Sequence, residues 1–155
     1  MPFRTKFFRI KQVETEEEFE ASFNLRWQLL RKPWQQAKGS EQDDIEDQCY
    51  HLIAVDNEQN VIGVARLQSN SIREAQIRYM AVDTDHQNKG VGGALMDRLE
   101  SHALDLGHSH ITLNARDNAT DFYTKHGYTA EAKSYLLFGE IQHFRMRKLL
   151  TIKPT

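Results

Sequence analysis

Polar and apolar positions alternate with period two from Phe7 to Val13. That spacing predicts a strand with Phe8, Ile10 and Gln12 on one face and Phe7, Arg9, Lys11 and Val13 on the other. Thr15-Glu16-Glu17-Glu18 follows as a capping box, in which a Thr hydroxyl and a Glu carboxylate each satisfy an orphan N–H at a helix start. Phe19, Phe23, Trp27 and Leu30 then recur at helical spacing, so the pattern predicts that they form the core-facing side of that helix. Pro33 ends it soon after Arg31.

Between Pro33 and Gln48 no period is sustained, which predicts a loop with room for one short helix. Strand-like runs return at Tyr50–Val55, Val61–Leu67 and Ala75–Val82, close enough together for antiparallel hairpins, with Asp56-Asn57-Glu58-Gln59-Asn60 as the first turn. After Val82 the period changes to 3.6. Val91, Leu95, Leu99, His102 or Ala103, and Leu106 share a face of a long helix capped by Gly107. A short strand at Ile111–Leu113, a short helix at Ala119–His126 and strands at Tyr128–Phe138 and His143–Leu149 complete the chain. The expected fold is α/β (α+β): a mixed, mostly antiparallel central sheet of about seven strands flanked by helices.

Composition narrows the function classes. A chain of 155 residues with 39% hydrophobic and 27% charged residues reads as one globular domain, residues 1–155, with a real core. With 20 basic against 22 acidic residues there is no global basic field, so no nucleic-acid partner is expected. The opening MPFRTKFFRIKQV is basic, but charges interrupt it and no small-residue cleavage site follows; no apolar stretch is long enough to span a bilayer. One cysteine, Cys49, cannot form an internal disulfide and reads as a small buried hydrophobe, so the expected location is cytoplasmic, with no membrane partner.

The chemistry gathers in the window from Ile77 to Met96. A strand ends, a polar loop follows, and Gly90, Gly92 and Gly93 stand where a helix begins. Glycine lets backbone N–H groups approach a ligand closely, and a helix start offers unpaired donors with about half a positive charge. This is an anion site by physics, with Gln87 and Lys89 able to add a donor and a charge. It is not a mononucleotide loop, because Gly92-Gly93-Ala94 lacks the Gly-Lys-Ser/Thr ending, and Gly90-x-Gly92-Gly93 is not the dinucleotide fingerprint. A glycine-rich helix start that only permits close packing is the bland alternative.

Gln87-x-x-Gly90-x-Gly92 resembles the Arg/Gln-x-x-Gly-x-Gly/Ala motif of the GNAT N-acetyltransferase superfamily. Met80-Ala81-Val82 looks like the end of that family's fourth strand, and Ala119-x-x-Phe122-Tyr123-x-x-x-Gly127-Tyr128 resembles its later segment. The resemblance implies acetyl-coenzyme A as cosubstrate. Backbone groups of Met80, Ala81 and Val82 would pair with the pantetheine arm. Gln87, Asn88, Lys89, Gly90, Val91, Gly92 and Gly93 would hold the pyrophosphate, and Tyr123 would lie near the sulfur and donate a proton to the thiolate. Glu140-x-x-His143 resembles a tail loop of one bacterial subgroup. Leu25-Arg26-x-x-x-Leu30-Arg31-x-Pro33 is similar to the acetyltransferase half of a thioesterase-fused bacterial protein, which keeps a thiol or acyl-carrier acceptor open beside a small-molecule or peptide amine.

Acetyl transfer to an amine needs a neutral nucleophile, yet an amine of pKa about 10.4 is neutral in only about one molecule in 2,500 at pH 7. A base or a desolvating pocket must close that gap. Some family members carry a Glu six residues before the strand's last Val, where this chain has Gln76, which takes no proton. Glu74, on the same strand face, and His143 are the candidate bases, with Glu140 and Arg26 as candidate substrate contacts. Where relatives place a cofactor-binding Asn this chain has Arg116, so Asn118 is the nearest stand-in. His102, His108 and His110 lack a completing thiolate or carboxylate, so no metal is expected. The acidic run Glu41–Asp47 reads either as a solvated loop or as an attractant for a cationic amine. Direct attack in a ternary complex is the expected route; the alternative is a non-catalytic coenzyme A-binding module. An exposed edge strand could pair two copies as a homodimer.

Overall fold

The computed structural model describes residues 7–151, so the basic opening residues 1–6 lie outside the described residues. Seven strands form one sheet: β1 (Phe8–Gln12), β2 (Tyr50–Asp56), β3 (Val61–Ser69), β4 (Glu74–Val82), β5 (His110–Arg116), β6 (Thr129–Leu137) and β7 (Ile141–Leu149), in the order β1-β2-β3-β4-β5-β7-β6. The helices are α1 (Glu16–Leu30), α2 (Val91–Asp105) and α3 (Thr120–Lys125). Pairs β1/β2, β5/β7 and β6/β7 are antiparallel, whereas β4 and β5 run parallel from Glu74↔His110 to Ile77↔Leu113. A parallel neighbour cannot be reached by a hairpin, so the chain crosses over through α2. The fold is α+β, with a mostly antiparallel sheet flanked by three helices.

By compactness the chain divides into two units, Met1–Arg66 with Tyr79–Leu95 and Leu67–Arg78 with Met96–Thr155. In the first, Val13, Leu25, Ile53, Val55 and Val64 form a buried cluster, with Phe19, Leu29, Val61 and Ala81 packed against it. Each fully buried aliphatic side chain contributes roughly 1.5–3 kcal/mol. The buried positions of α1 are Ser22, Leu25 and Arg26, while Phe19, Phe23, Trp27 and Leu30 are half-buried on the flank. Phe19 of the expected face reaches the core, and Arg26 takes a buried position that the spacing of apolar residues does not mark. In the second unit Met96, Leu99 and Ala103 of α2 are fully buried, as are Ile111, Leu113 and Met146. Leu106, expected on that face, is exposed just past the helix end.

The strand expected at Ile111–Leu113 extends to His110–Arg116, and the stretch 33–48 holds short 3-10 turns at Lys32–Trp34 and Glu46–Gln48. Cys49 is half-buried rather than buried; its thiol donates to the Ile45 carbonyl at 3.2 Å and burial pushes its pKa up. The capping box forms as expected. Glu18 N–H donates to Thr15 Oγ1 at 3.1 Å, and Thr15 N–H donates to Glu18 Oε1 at 3.2 Å. Thr15→Ala is expected to lower stability by about 1 kcal/mol in urea titration, since one helix-start N–H loses its acceptor. An unchanged midpoint would show that α1 is held by packing alone.

Candidate active site

Between β4 and α2 the backbone takes an unusual course. Asn88 and Gly90 have φ of 62° and 89°. Gly90 accepts the first helical bond, from Ala94 N–H at 3.1 Å, so it caps α2. The N–H groups of Val91, Gly92 and Gly93 are then those that helix geometry leaves without an intrahelical acceptor. Left-handed residues next to a helix start turn successive N–H groups toward one concavity, an arrangement that suits an anion. Gln87, Asn88, Lys89 and Gly90 are exposed, Val91 is buried, and Gly92 and Gly93 are half-buried. Gln87 Nε2 donates to the Val82 carbonyl at 3.1 Å, and Asp83 N–H donates to Ile62 O at 2.8 Å, so the end of β4 is tied to the loop and to β3.

Two arginines lie buried behind this segment. Arg26 is 1% and Arg66 0% exposed. Arg66 makes a two-pronged pair with Asp43, both bonds 2.8 Å, and reaches Glu46 Oε1 at 2.9 Å. Arg26 Nη1 donates to Glu46 Oε2 at 2.8 Å, and its Nη2 donates to His51 Nδ1 at 3.3 Å. A guanidinium can only donate, so His51 is held as the neutral ring with Nε2–H donating to the Glu46 carbonyl at 2.6 Å. Burial pushes the His51 pKa down. Burial acts to raise that of Glu46, but the bonds and charge of Arg26, with Arg66, outweigh it and hold the carboxyl below its ordinary value.

Arg26, a candidate substrate contact, is buried and engaged with Glu46. The acidic run is not simply solvated: Asp43 and Glu46 neutralise the two arginines, and Glu41 is buried, accepting from Gly39 N–H at 2.8 Å. Arg66 and Tyr79 were missed by sequence reasoning. The available signal was a charged residue in the middle of the apolar run Val61–Leu67, which demands a buried counter-ion.

In the second unit, Tyr123 on α3 is 9% exposed and edge-on to Tyr128, ring centroids 6.0 Å apart. Burial pushes its pKa up to about 12, partly opposed by the positive charge of Arg116. Tyr128 Oη donates to Glu100 at 3.0 Å, and Lys148 Nζ donates to Glu100 and to the His126 carbonyl, each at 2.8 Å, which fixes the end of α3. Arg116 stands opposite His143 in the β5/β7 register, and its positive charge reaches Tyr123. His143 is 4% exposed and stacked on Tyr135 at 4.3 Å, with Nδ1 at 3.0 Å from the Ile141 carbonyl. A carbonyl only accepts, so Nδ1 carries a proton.

The expected tail loop is instead a tight hairpin. Phe138 and Gly139 both have positive φ, 53° and 70°, Glu140 N–H bonds Leu137 O at 3.0 Å, and His143 already belongs to β7. Glu140 is exposed at the turn and Asn118 is exposed in the 3-10 turn before α3. Glu74 accepts from Asn70 at 2.8 Å and Thr112 at 3.3 Å, and pairs with His110 at 3.2 Å and Arg145 at 3.7 Å. The Asn70 bond first, with His110 and Arg145, holds its pKa down, which makes it a weak base. Gln76 accepts from Asn70 Nδ2 at 3.0 Å. His108 meets Ser69 at 2.8 Å.

The family model described as Acetyltransferase (GNAT) domain matches residues 12–150. The chain belongs to the GNAT acetyltransferase family. It is 31% identical to the uncharacterized N-acetyltransferase YjcF of Bacillus subtilis (strain 168) over 136 residues, 88% of this chain and 96% of that protein. Among solved structures, a Lactobacillus plantarum protein superposes with a TM-score of 0.82 at 20% identity, covering 93% of this chain and 99% of that one. An aminoglycoside 6'-N-acetyltransferase complexed with coenzyme A superposes with a TM-score of 0.78 at 15% identity, covering 95% and 99%. This GNAT chain is accordingly an N-acetyltransferase. Among the described residues no helix is long and apolar enough to cross a membrane.

The His51–Glu46 geometry sets a pH dependence. His51 stays neutral in the fold while the unfolded ring takes a proton, so its contribution is complete above pH 6.5 and falls away as pH drops below that value. Glu46 adds a second loss below its ordinary pKa of 4.5, as the folded carboxylate is protonated. Urea stability measured between pH 8 and 4 is expected to be flat, then to decline from about 6.5 downward, and His51→Gln to flatten the upper limb of that decline. An identical upper limb in the variant would place the proton uptake elsewhere.

Proposed function

We propose that this GNAT chain transfers acetyl from acetyl-coenzyme A to an acceptor amine by direct attack. The observation that carries the reading is the anion-suited turn at Asn88–Gly93, with N–H groups offered where a pyrophosphate would sit. Met80, Ala81 and Val82 supply backbone for the pantetheine arm, and Asn118 is a further candidate cofactor contact. The coenzyme A complex of the aminoglycoside enzyme of the same fold supports this assignment. We take residues 1–155 as one acetyltransferase domain working on a small-molecule or peptide amine.

The amine nitrogen bonds to the carbonyl carbon, the C–S bond breaks, and the thiolate leaves. Tyr123 fits the role of donor to that thiolate because a phenol at about 12 is protonated throughout the physiological range. Full proton transfer to a thiolate of pKa about 8.5 is uphill by about 5 kcal/mol, so Tyr123 acts first as a hydrogen-bond donor that stabilises the developing charge. His143, oriented by the Ile141 carbonyl, is the candidate base that takes the proton from the amine, balancing the one the thiolate gains. Glu74 is tied to its neighbours, and Glu140 at the exposed turn is a candidate acceptor contact.

Thiol release from acetyl-coenzyme A across a panel of amines tests this. Tyr123→Phe is expected to lower kcat about 100-fold with little change in coenzyme A affinity or melting temperature. Gly90→Ala, forcing a methyl group onto a φ of 89°, is expected to weaken coenzyme A binding several-fold. Binding without turnover on any acceptor, together with an inert Tyr123→Phe, would favour a coenzyme A-binding module instead.

A further inference from the structure

Tyr79 has a φ of 53° inside β4, a conformation that a bulky side chain resists and that appears where a strand is bulged and re-aimed. Something must hold it there. Its ring lies against three guanidiniums: Arg26 at 4.4 Å, Arg66 at 4.8 Å and Arg31 at 5.8 Å from the centroid. Two of these cations cannot wander. Arg66 is fixed by its two-pronged pair with Asp43, and both Arg26 and Arg66 converge on Glu46. Arg26 Nε is buried without a hydrogen-bond partner, a cost that stability alone does not explain. Four residues further on, just past the end of β4, the chain is anchored again by Asp83 N–H on Ile62 O at 2.8 Å, while Ala81 packs on the core cluster. Met80–Val82 is thus a short span stretched between two fixed points.

Resting on the reading of Met80–Gly93 as the cofactor segment, we propose that Tyr79, gripped by Arg26 and Arg66, is a positioning residue that sets the course of Met80–Val82 and so the affinity for coenzyme A. The acidic stretch Asp43–Glu46 is the latch of this grip: its carboxylates orient the guanidinium planes, and the planes hold the ring. The grip acts on binding rather than on bond making.

Tyr79→Gly tests it, because glycine adopts the same φ freely while the ring is lost. Calorimetric coenzyme A affinity and hydrogen exchange at the Met80–Val82 amides are read on protein shown to be folded by circular dichroism. The expected result is a Kd raised tenfold or more, faster exchange confined to those amides, and KM for acetyl-coenzyme A rising more than kcat falls. Tyr79→Phe, which keeps the ring, restores both readouts. Arg66→Lys, which keeps the charge but not the fork, moves them in the same direction by less and serves if the glycine variant does not fold. Native-like affinity and native-like exchange in a folded Tyr79→Gly protein would overturn the grip. Failure of the wild type to bind coenzyme A would overturn the proposed function instead, and the exchange rates would still decide the grip.

Discussion

Two guanidiniums taken out of water impose the strictest condition on this fold. Each must meet a carboxylate with good geometry, and removing one partner of such a pair costs about 3–5 kcal/mol. Arg26 and Arg66 meet the condition by drawing Asp43 and Glu46 inward, which shapes the stretch between α1 and β2. The face of α1 that turns to the interior is chosen by the same need, since Arg26 lies beside Leu25 and Ser22 on its buried side. The planar faces left over by these pairs meet Tyr79, where β4 changes course before the cofactor segment. One ionic cluster therefore links the acidic run, the first helix and the strand that precedes the anion-suited turn.

The second unit solves a different problem, which is to keep a phenol neutral. Tyr123 is shielded beside Tyr128, whose hydroxyl is spent on Glu100; burial first, and then that carboxylate, push the Tyr128 pKa up. Lys148 balances Glu100 and ties down the turn at His126. His143 is oriented by the Ile141 carbonyl and by the ring of Tyr135. Burial thus serves opposite ends in the two units: in one it strengthens pairs between opposite charges, in the other it suppresses ionisation of a hydroxyl.

Much of this was legible in the sequence. The capping box at Thr15, the strands and the change of period after Val82 are local patterns, and local patterns survive folding. The glycines at 90, 92 and 93 marked the start of α2 for the same reason. What the sequence hid depends on residues distant along the chain. Helical spacing marked Phe19, Phe23, Trp27 and Leu30 as the core face, because no periodic rule expects Arg26 inside. Its carboxylate partner lies 20 positions away, at Glu46. Glu74 looked like a free base until the β4/β5 register brought it against His110 and Thr112. The turn before the last strand was not legible as a tight hairpin because Phe138 takes a positive φ there, which breaks the usual turn chemistry.

The central claim is that the backbone from Met80 to Gly93 is the coenzyme A cradle of a working acetyltransferase. Backbone amide shifts followed by nuclear magnetic resonance during titration with coenzyme A test it most directly. The account predicts saturable changes that are largest at Asn88–Gly93 and extend along Met80–Val82, with those at Asn88–Gly93 lost when the pyrophosphate is omitted from the ligand. Saturable changes centred elsewhere, or none at these amides, would contradict it.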